Sequence, residues 1–166
     1  IKDSLPLDNA VRKQDYSRRN AMTAGEVAGK TILVVGFGRI GTRMAKRCAA
    51  FDMNVIVADP YVPQRVVRGN GYDYVEDFRD ALDRADIVTM HRPGNQDGSP
   101  VMTGQDFSRM RKGSVLINTA RGTLFDEDAL YQALTNGPLG AAGLDVTRDE
   151  PPASDLPLLS LDNVMF

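Results

Sequence analysis

Thr31-Ile32-Leu33-Val34-Val35 runs without a break into Gly36-Phe37-Gly38-Arg39-Ile40-Gly41. An apolar strand with no polar face fits a strand covered on both sides, as in a parallel sheet. Beyond the glycines, Ile40, Met44, Ala45, Cys48 and Phe51 recur at helical spacing. The alternation then repeats along the chain. Residues 54–58, 72–75, 86–90, 114–118 and 140–146 read as strands, and 163–166 begin one more. Residues 76–84 look helical, and 107–110 read as a helix turn. Residues 126–136 read as a helix with acids in its first turn, Gly137 at its end and Pro138 beyond. Residues 91–103, rich in Gly and Pro, read as loop. No internal repeat or low-complexity tract interrupts the pattern. Strand and helix in alternation predict an α/β fold of the Rossmann kind, a doubly wound parallel sheet with helices on both faces. Right-handed crossovers put every strand C-terminus on one edge, where ligands of such sheets bind. The positions that follow the strands are therefore the candidates for chemistry: residues 36–41, Asp59, 91–93, 119–122 and 145–150.

Residues 1–24 break the pattern. They are polar and irregular, with Arg12, Lys13, Arg18 and Arg19 scattered among acids and amides. They read as an arm or linker ahead of a single domain over residues 25–166. The 166 residues suffice for one sizeable core. A net charge of −2 gives no reason to expect nucleic acid or an anionic membrane as partner. The lone Cys48 excludes an internal disulfide and any multi-cysteine metal site, and its place on an apolar helix face predicts a buried thiol. No apolar run approaches the roughly 20 residues that span a bilayer, and no signal peptide is visible, so the expected location is cytoplasmic. A start at Ile1 and a stop at Phe166 inside an apolar run read as a piece of something longer.

The glycine run fits a dinucleotide fingerprint position by position. Gly36 allows the tight turn, Gly38 lets backbone approach phosphate, and Gly41 lets the helix pack on its strand. The helix N-terminus that follows offers free N–H groups and a partial positive charge to a pyrophosphate. Asp59 stands 18 positions after Gly41, at the end of the next strand. An acid about 20 residues on is the expected ribose ligand. Its charge would repel a 2′-phosphate, which favours NAD over NADP, with Arg65 and Arg68 close enough in sequence to soften that preference.

With Asp59-Pro60-Tyr61 in view, further segments carry a resemblance. They are Gly29-Lys30-Thr31, His91-Arg92-Pro93, the stretch from Lys112-Gly113-Ser114 to Asn118-Thr119-Ala120-Arg121-Gly122, then Gly143-Leu144-Asp145-Val146 and Glu150-Pro151. The chain resembles the D-isomer-specific 2-hydroxyacid dehydrogenases over nearly all of residues 25–166. The resemblance implies that Arg39 and Ile40 line the pyrophosphate and that Asp59, followed by Pro60, holds the ribose. His91, Arg92, Pro93, Thr119 and Ala120 would line the cofactor pocket, with Asp145 at the nicotinamide end. Arg121 would bind the substrate carboxylate and polarise its carbonyl, and Glu150 would hydrogen-bond a catalytic histidine. A planar, permanently charged guanidinium suits a carboxylate, and a histidine with a carboxylate partner suits proton delivery near neutral pH. The resemblance also implies a small 2-hydroxy or 2-keto acid as substrate and a homodimer formed through the cofactor domain.

The resemblance has a limit. The family's catalytic histidine comes just after the last strand, in a Pro-His pair, and its substrate domain flanks the cofactor domain on both sides. The 166 residues contain neither, and their single histidine, His91, matches a pocket-lining position. Two functional readings follow: the cofactor domain of an oxidoreductase, or an NAD(H)-responsive regulatory module of the co-repressor type. Arg121 and Glu150 favour the first, because a pure sensor has no chemical need of both. A methyltransferase also has glycine turns and an acid after the second strand, but the 118–122 stretch argues against it. The expectation for these 166 residues alone is NADH binding without turnover of 2-keto acids.

Overall fold

The computed structural model describes residues 4–17 and 25–166. Its centre is a sheet of seven strands: β1 (Thr31–Val35), β2 (Asn54–Ala58), β3 (Asp73–Val75), β4 (Ile87–Met90), β5 (Ser114–Asn118), β6 (Leu139–Leu144) and β7 (Val164–Met165). All neighbours are parallel, and the spatial order is β3-β2-β1-β4-β5-β6-β7. The chain winds outward from β1 to β3 and then returns to lay β4 on the other side of β1. A crevice opens outside the strand ends at such a reversal. The main connecting helices are α2 (Arg39–Ala50), α3 (Gln64–Gly69), α4 (Gly104–Ser108) and α5 (Glu127–Thr135), with short 3-10 turns at Phe78–Ala81, Gly122–Leu124 and Pro157–Ser160.

Alternation along each strand divides the core in two. Leu33, Val35, Ile56, Val88, Met90 and Leu116 face one side, against Phe78, Leu82, Phe107, Leu130 and Leu134. Ile32, Val34, Val55, Val57 and Ile87 face the other, against Ala45, Cys48 and Val67. Burial on both faces is what the unbroken apolar runs anticipate, and it makes the fold α/β with helices on both sides. Cys48 is buried as expected, and burial pushes its thiol pKa up.

Four expectations need correction. Part of the arm read as irregular is helical: α1 spans Ser4–Arg12, with Arg12 paired to Asp8 one turn back at 2.7 Å. Arg18 and Arg19 lie outside the described residues. The helix expected over 76–84 contracts to the 3-10 turn Phe78–Ala81, where the Asp77 carboxylate accepts from the Arg79 N–H. Phe78, Ala81, Leu82 and Ala85 are still buried at helical spacing, so the pattern was real and the backbone tighter. α4 begins at Gly104, ahead of the expected 107, because Thr103 and Asp106 form a capping box there. α3 has no counterpart in the sequence reading; only Val67 of its six residues is buried.

Candidate functional site

The glycine turn is laced between its neighbours. Gly36 donates its N–H to the Ala58 carbonyl (2.8 Å), and His91 donates its N–H to the Val35 carbonyl (2.7 Å). Gly36 has φ +98°, a left-handed conformation, and a Cβ there would stand 2.6 Å from the His91 carbonyl oxygen. Phe37 turns inward, buried edge-on to Tyr72 with ring centroids 6.2 Å apart, and so anchors the turn in the core beneath α2. Gly38 caps α2, and a Cβ on it would meet nothing within 4 Å. Gly41 sits directly on the turn, where a Cβ would run into the Gly36 carbonyl oxygen. The first N–H groups of α2, at Arg39, Ile40 and Gly41, lack partners within the helix and carry the positive end of its dipole. Arg39 and Ile40 project outward, with Ile40 59% exposed.

A cleft of about 800 Å³ opens beside this turn. Of the positions expected to bind cofactor, Gly36, Gly38, Asp59, Pro60, His91, Arg92 and Pro93 line it. Asp59 is half-buried and already committed to the backbone. One carboxylate oxygen accepts from the Phe37 N–H (2.7 Å) and the other from the Tyr61 N–H (2.8 Å). The acid therefore braces the glycine turn as well as facing the cleft. The far wall comes from Glu76, Asp77, Phe78 and Arg79, which sequence reasoning missed. The signal was available: these residues follow β3, and the strand-end rule applied there leads to Glu76. Arg79 is held rigidly. Its Nε donates to Asp106 (2.7 Å), its Nη2 to the Val101 carbonyl (3.0 Å), and its guanidinium lies over the Phe78 ring at 4.5 Å.

His91 lies on the same side of β4 as Thr89, two residues before it, and its Nε2 is 3.0 Å from the Thr89 hydroxyl. Burial lowers the His91 pKa below its ordinary value and so favours the neutral ring. Nothing in this arrangement equips it as an acid, and it remains a lining residue of the cleft.

Thr119, Ala120, Arg121, Asp145 and Glu150 do not line that cleft. They occupy two loops further along the same edge, after β5 and β6. Asn118, at the end of β5, shapes the first loop and was not singled out from the sequence. It is 1% exposed. Its carboxamide oxygen accepts from the Ala120 N–H (3.0 Å), its amide donates to the Arg121 carbonyl (2.8 Å), and its own carbonyl accepts from the Asp145 N–H (2.9 Å). The two loops meet at Gly122, where a Cβ would collide with the Thr147 carbonyl. The exposed Arg121 side chain folds back onto the Ala120 carbonyl, with Nη1 at 2.6 Å. Glu150 is exposed, and no hydrogen bond or ion pair joins it to Arg121 among the described residues. Asn118→Ala leaves two backbone groups of a tight loop unpaired, a loss of about 1–3 kcal/mol. The expected result is a melting temperature lower by roughly 2–10 °C; an unchanged melting curve would contradict this role for Asn118.

The donor set fits a dinucleotide: Gly36, the N-cap Gly38 of α2 and Asp59 at the second strand end border one cleft, while Arg39, Ile40 and Gly41 stand next to it in the first turn of α2 and are not part of its lining. A family model described as D-isomer specific 2-hydroxyacid dehydrogenase, NAD binding domain, matches residues 1–166. The D-3-phosphoglycerate dehydrogenase of Methanocaldococcus jannaschii is 41% identical over 162 residues, which cover 98% of this chain and 31% of that protein. The hydroxypyruvate reductase of Thermotoga maritima is 36% identical over 155 residues, covering 92% of this chain and 49% of that one. The crystal structure of D-lactate dehydrogenase from Aquifex aeolicus, complexed with NAD and lactic acid, superposes with a TM-score of 0.85 at 31% identity, covering 99% of this chain and 53% of that one. The chain thus spans between about a third and a half of the length of these relatives. Matched along its whole length, it belongs to the NAD-binding domain family of the D-isomer-specific 2-hydroxyacid dehydrogenases.

Proposed function

We propose that this chain is the cofactor domain of an NAD-dependent dehydrogenase that moves hydride between NAD(H) and a small 2-hydroxy or 2-keto acid. The observation that carries the reading is the open side of Gly38 at the N-terminus of α2, facing a cleft bordered by Asp59. Bound there, the nicotinamide supplies the hydride chemistry. The chain's own residues bind and orient. The N–H groups of Arg39, Ile40 and Gly41 receive the pyrophosphate, and Asp59 receives the ribose hydroxyls. Pro60, His91, Arg92 and Pro93 wall the adenosine half, while Thr119, Ala120 and Asp145 border the nicotinamide half. Arg121 fixes the substrate carboxylate with paired donors, once its side chain swings off the Ala120 carbonyl. Glu150 orients the proton donor. The lining of the cleft comes from residues 35–96, which supports a cofactor domain over residues 25–166 with residues 1–24 as an arm or linker ahead of it.

The same reading makes the protein a cytoplasmic homodimer without nucleic-acid or membrane partners. The net charge of −2 gives no reason to expect nucleic acid or an anionic membrane as partner, and among the described residues no helix is long and apolar enough to cross a membrane; the homodimer rests on the family resemblance. The test is titration of the chain with NADH, followed by the coenzyme's fluorescence. Saturable binding is expected, and no binding overturns the reading. Stereochemistry then separates enzyme from regulatory module. The complete enzyme reduces NAD with a D-2-hydroxy acid and not with its L-isomer; a complete protein that binds NADH without such turnover is the regulatory module instead.

A further inference from the structure

Thr89 is the one polar residue of β4, and it is fully buried between β1 and β5, paired in register with Val34 and Ile117. A hydroxyl in such surroundings needs a partner. Its partner is the Nε2 of His91 at 3.0 Å, placed there because residues two apart on a strand share a face. That face is the α2 side of the sheet, and the His91 Cβ is the side-chain atom a Cβ on Gly41 would approach, at 3.5 Å. The imidazole therefore stands under the first turn of α2, within the cleft lining.

A hydroxyl carries one proton, and this decides the tautomer. Were Nε2 protonated, it would donate to the Thr89 oxygen, and the Thr89 proton would have no acceptor. With the hydroxyl donating to an unprotonated Nε2, both atoms are satisfied. A neutral ring then carries its proton on Nδ1. Nδ1 has no hydrogen-bond partner among the described residues and is not among their sealed, unsatisfied atoms. It is an unpaired, unsealed donor on a residue that lines the cleft. A cationic ring would also stand against the positive end of α2, and burial already disfavours the charge.

We propose that Thr89 is a positioning residue: it fixes His91 as the neutral Nδ1–H tautomer, which donates a hydrogen bond to an oxygen of the bound dinucleotide. The first half stands on the contact alone, and only the second rests on NAD binding at this cleft. His91 is the single histidine of the chain, so nitrogen-15 imidazole spectra at pH 8 report it without ambiguity. The expected spectrum shows a protonated Nδ1 and an unprotonated Nε2; a protonated Nε2 overturns the first half. Thr89→Val removes the donor at nearly constant volume and shifts the ring towards Nε2–H, whereas Thr89→Ser keeps Nδ1–H. A purely structural role would move stability without moving the tautomer. NADH affinity is expected to fall about 2- to 10-fold in Thr89→Val and to return in Thr89→Ser. Unchanged affinity in a valine variant whose tautomer has switched overturns the second half. If Thr89→Val does not fold, the wild-type Nδ1–H resonance decides instead: it shifts on saturation with NADH, or the second half fails.

Discussion

Gly41→Ala unseats α2 and removes most of the NADH affinity. The added methyl group has nowhere to go. On one side it meets the carbonyl oxygen of Gly36, a backbone atom of a turn that is itself bonded to Ala58 and pressed against His91. No side chain can rotate away, so the helix must lift or the turn must open. Forced overpacking of this kind costs about 1–3 kcal/mol, and a backbone collision belongs at the upper end or above. That corresponds to a melting temperature lower by roughly 6–12 °C. Lifting α2 also moves the N–H groups that the proposed function assigns to the pyrophosphate, and NADH should bind at least about tenfold more weakly, the equivalent of roughly 1.4 kcal/mol. Gly104→Ala is the control. A Cβ there meets only the Ala129 methyl at an ordinary 3.8 Å, and both readouts should stay near wild type. A Gly41→Ala protein that melts and binds normally would refute the assigned close approach.

Asp59→Ala shifts the choice of coenzyme, and the structure changes how that result must be read. From its position alone, the acid is a ribose ligand that repels a 2′-phosphate. Its two hydrogen bonds to the Phe37 and Tyr61 N–H groups add a second role, because losing them loosens the glycine turn. NADH affinity should fall by about tenfold or more, since hydrogen bonds to a charged group contribute about 1.5–3 kcal/mol each. NADPH affinity should fall less or rise, because the lost brace is offset by the lost repulsion. The ratio of the two affinities therefore moves by about tenfold or more towards NADPH. Asp59→Asn separates the effects: it removes the charge and keeps one acceptor oxygen for the turn. An affinity ratio unchanged in both variants would refute the ribose role.

Most of the fold was legible because its strands are buried on both faces. β1, β2 and β5 came out at their observed limits, and β4 to within one residue. α3 escaped because six residues with one buried side chain leave no period to detect. The 3-10 turn at Phe78–Ala81 passed for a longer helix because Phe78, Ala81, Leu82 and Ala85 bury at spacings that both backbones present. In the site, the glycines were read from backbone demands, and Asp59 from its place at the end of the second strand, 18 positions after Gly41. Asn118 and Thr89 were not. A buried polar residue acts through its hydrogen-bond partners, and those are set by which strands become neighbours. The Glu76–Arg79 wall was missed for a plainer reason, that the end of β3 was left out of the strand ends considered.

The lining of the cleft is drawn from residues 35–96, whereas the loops bearing Arg121 and Glu150 come from later strands on the other side of β4. Under the proposed function, nucleotide choice and acid chemistry are thus written in separate paragraphs of the chain. One can be rewritten while the other is left alone: a transplanted β1–β4 segment would carry the cleft lining with it, and the Asn118 side chain, whose hydrogen bonds run to the Ala120 N–H and the Arg121 carbonyl, would still hold the Arg121 backbone wherever the transplanted β4 keeps its register with β5.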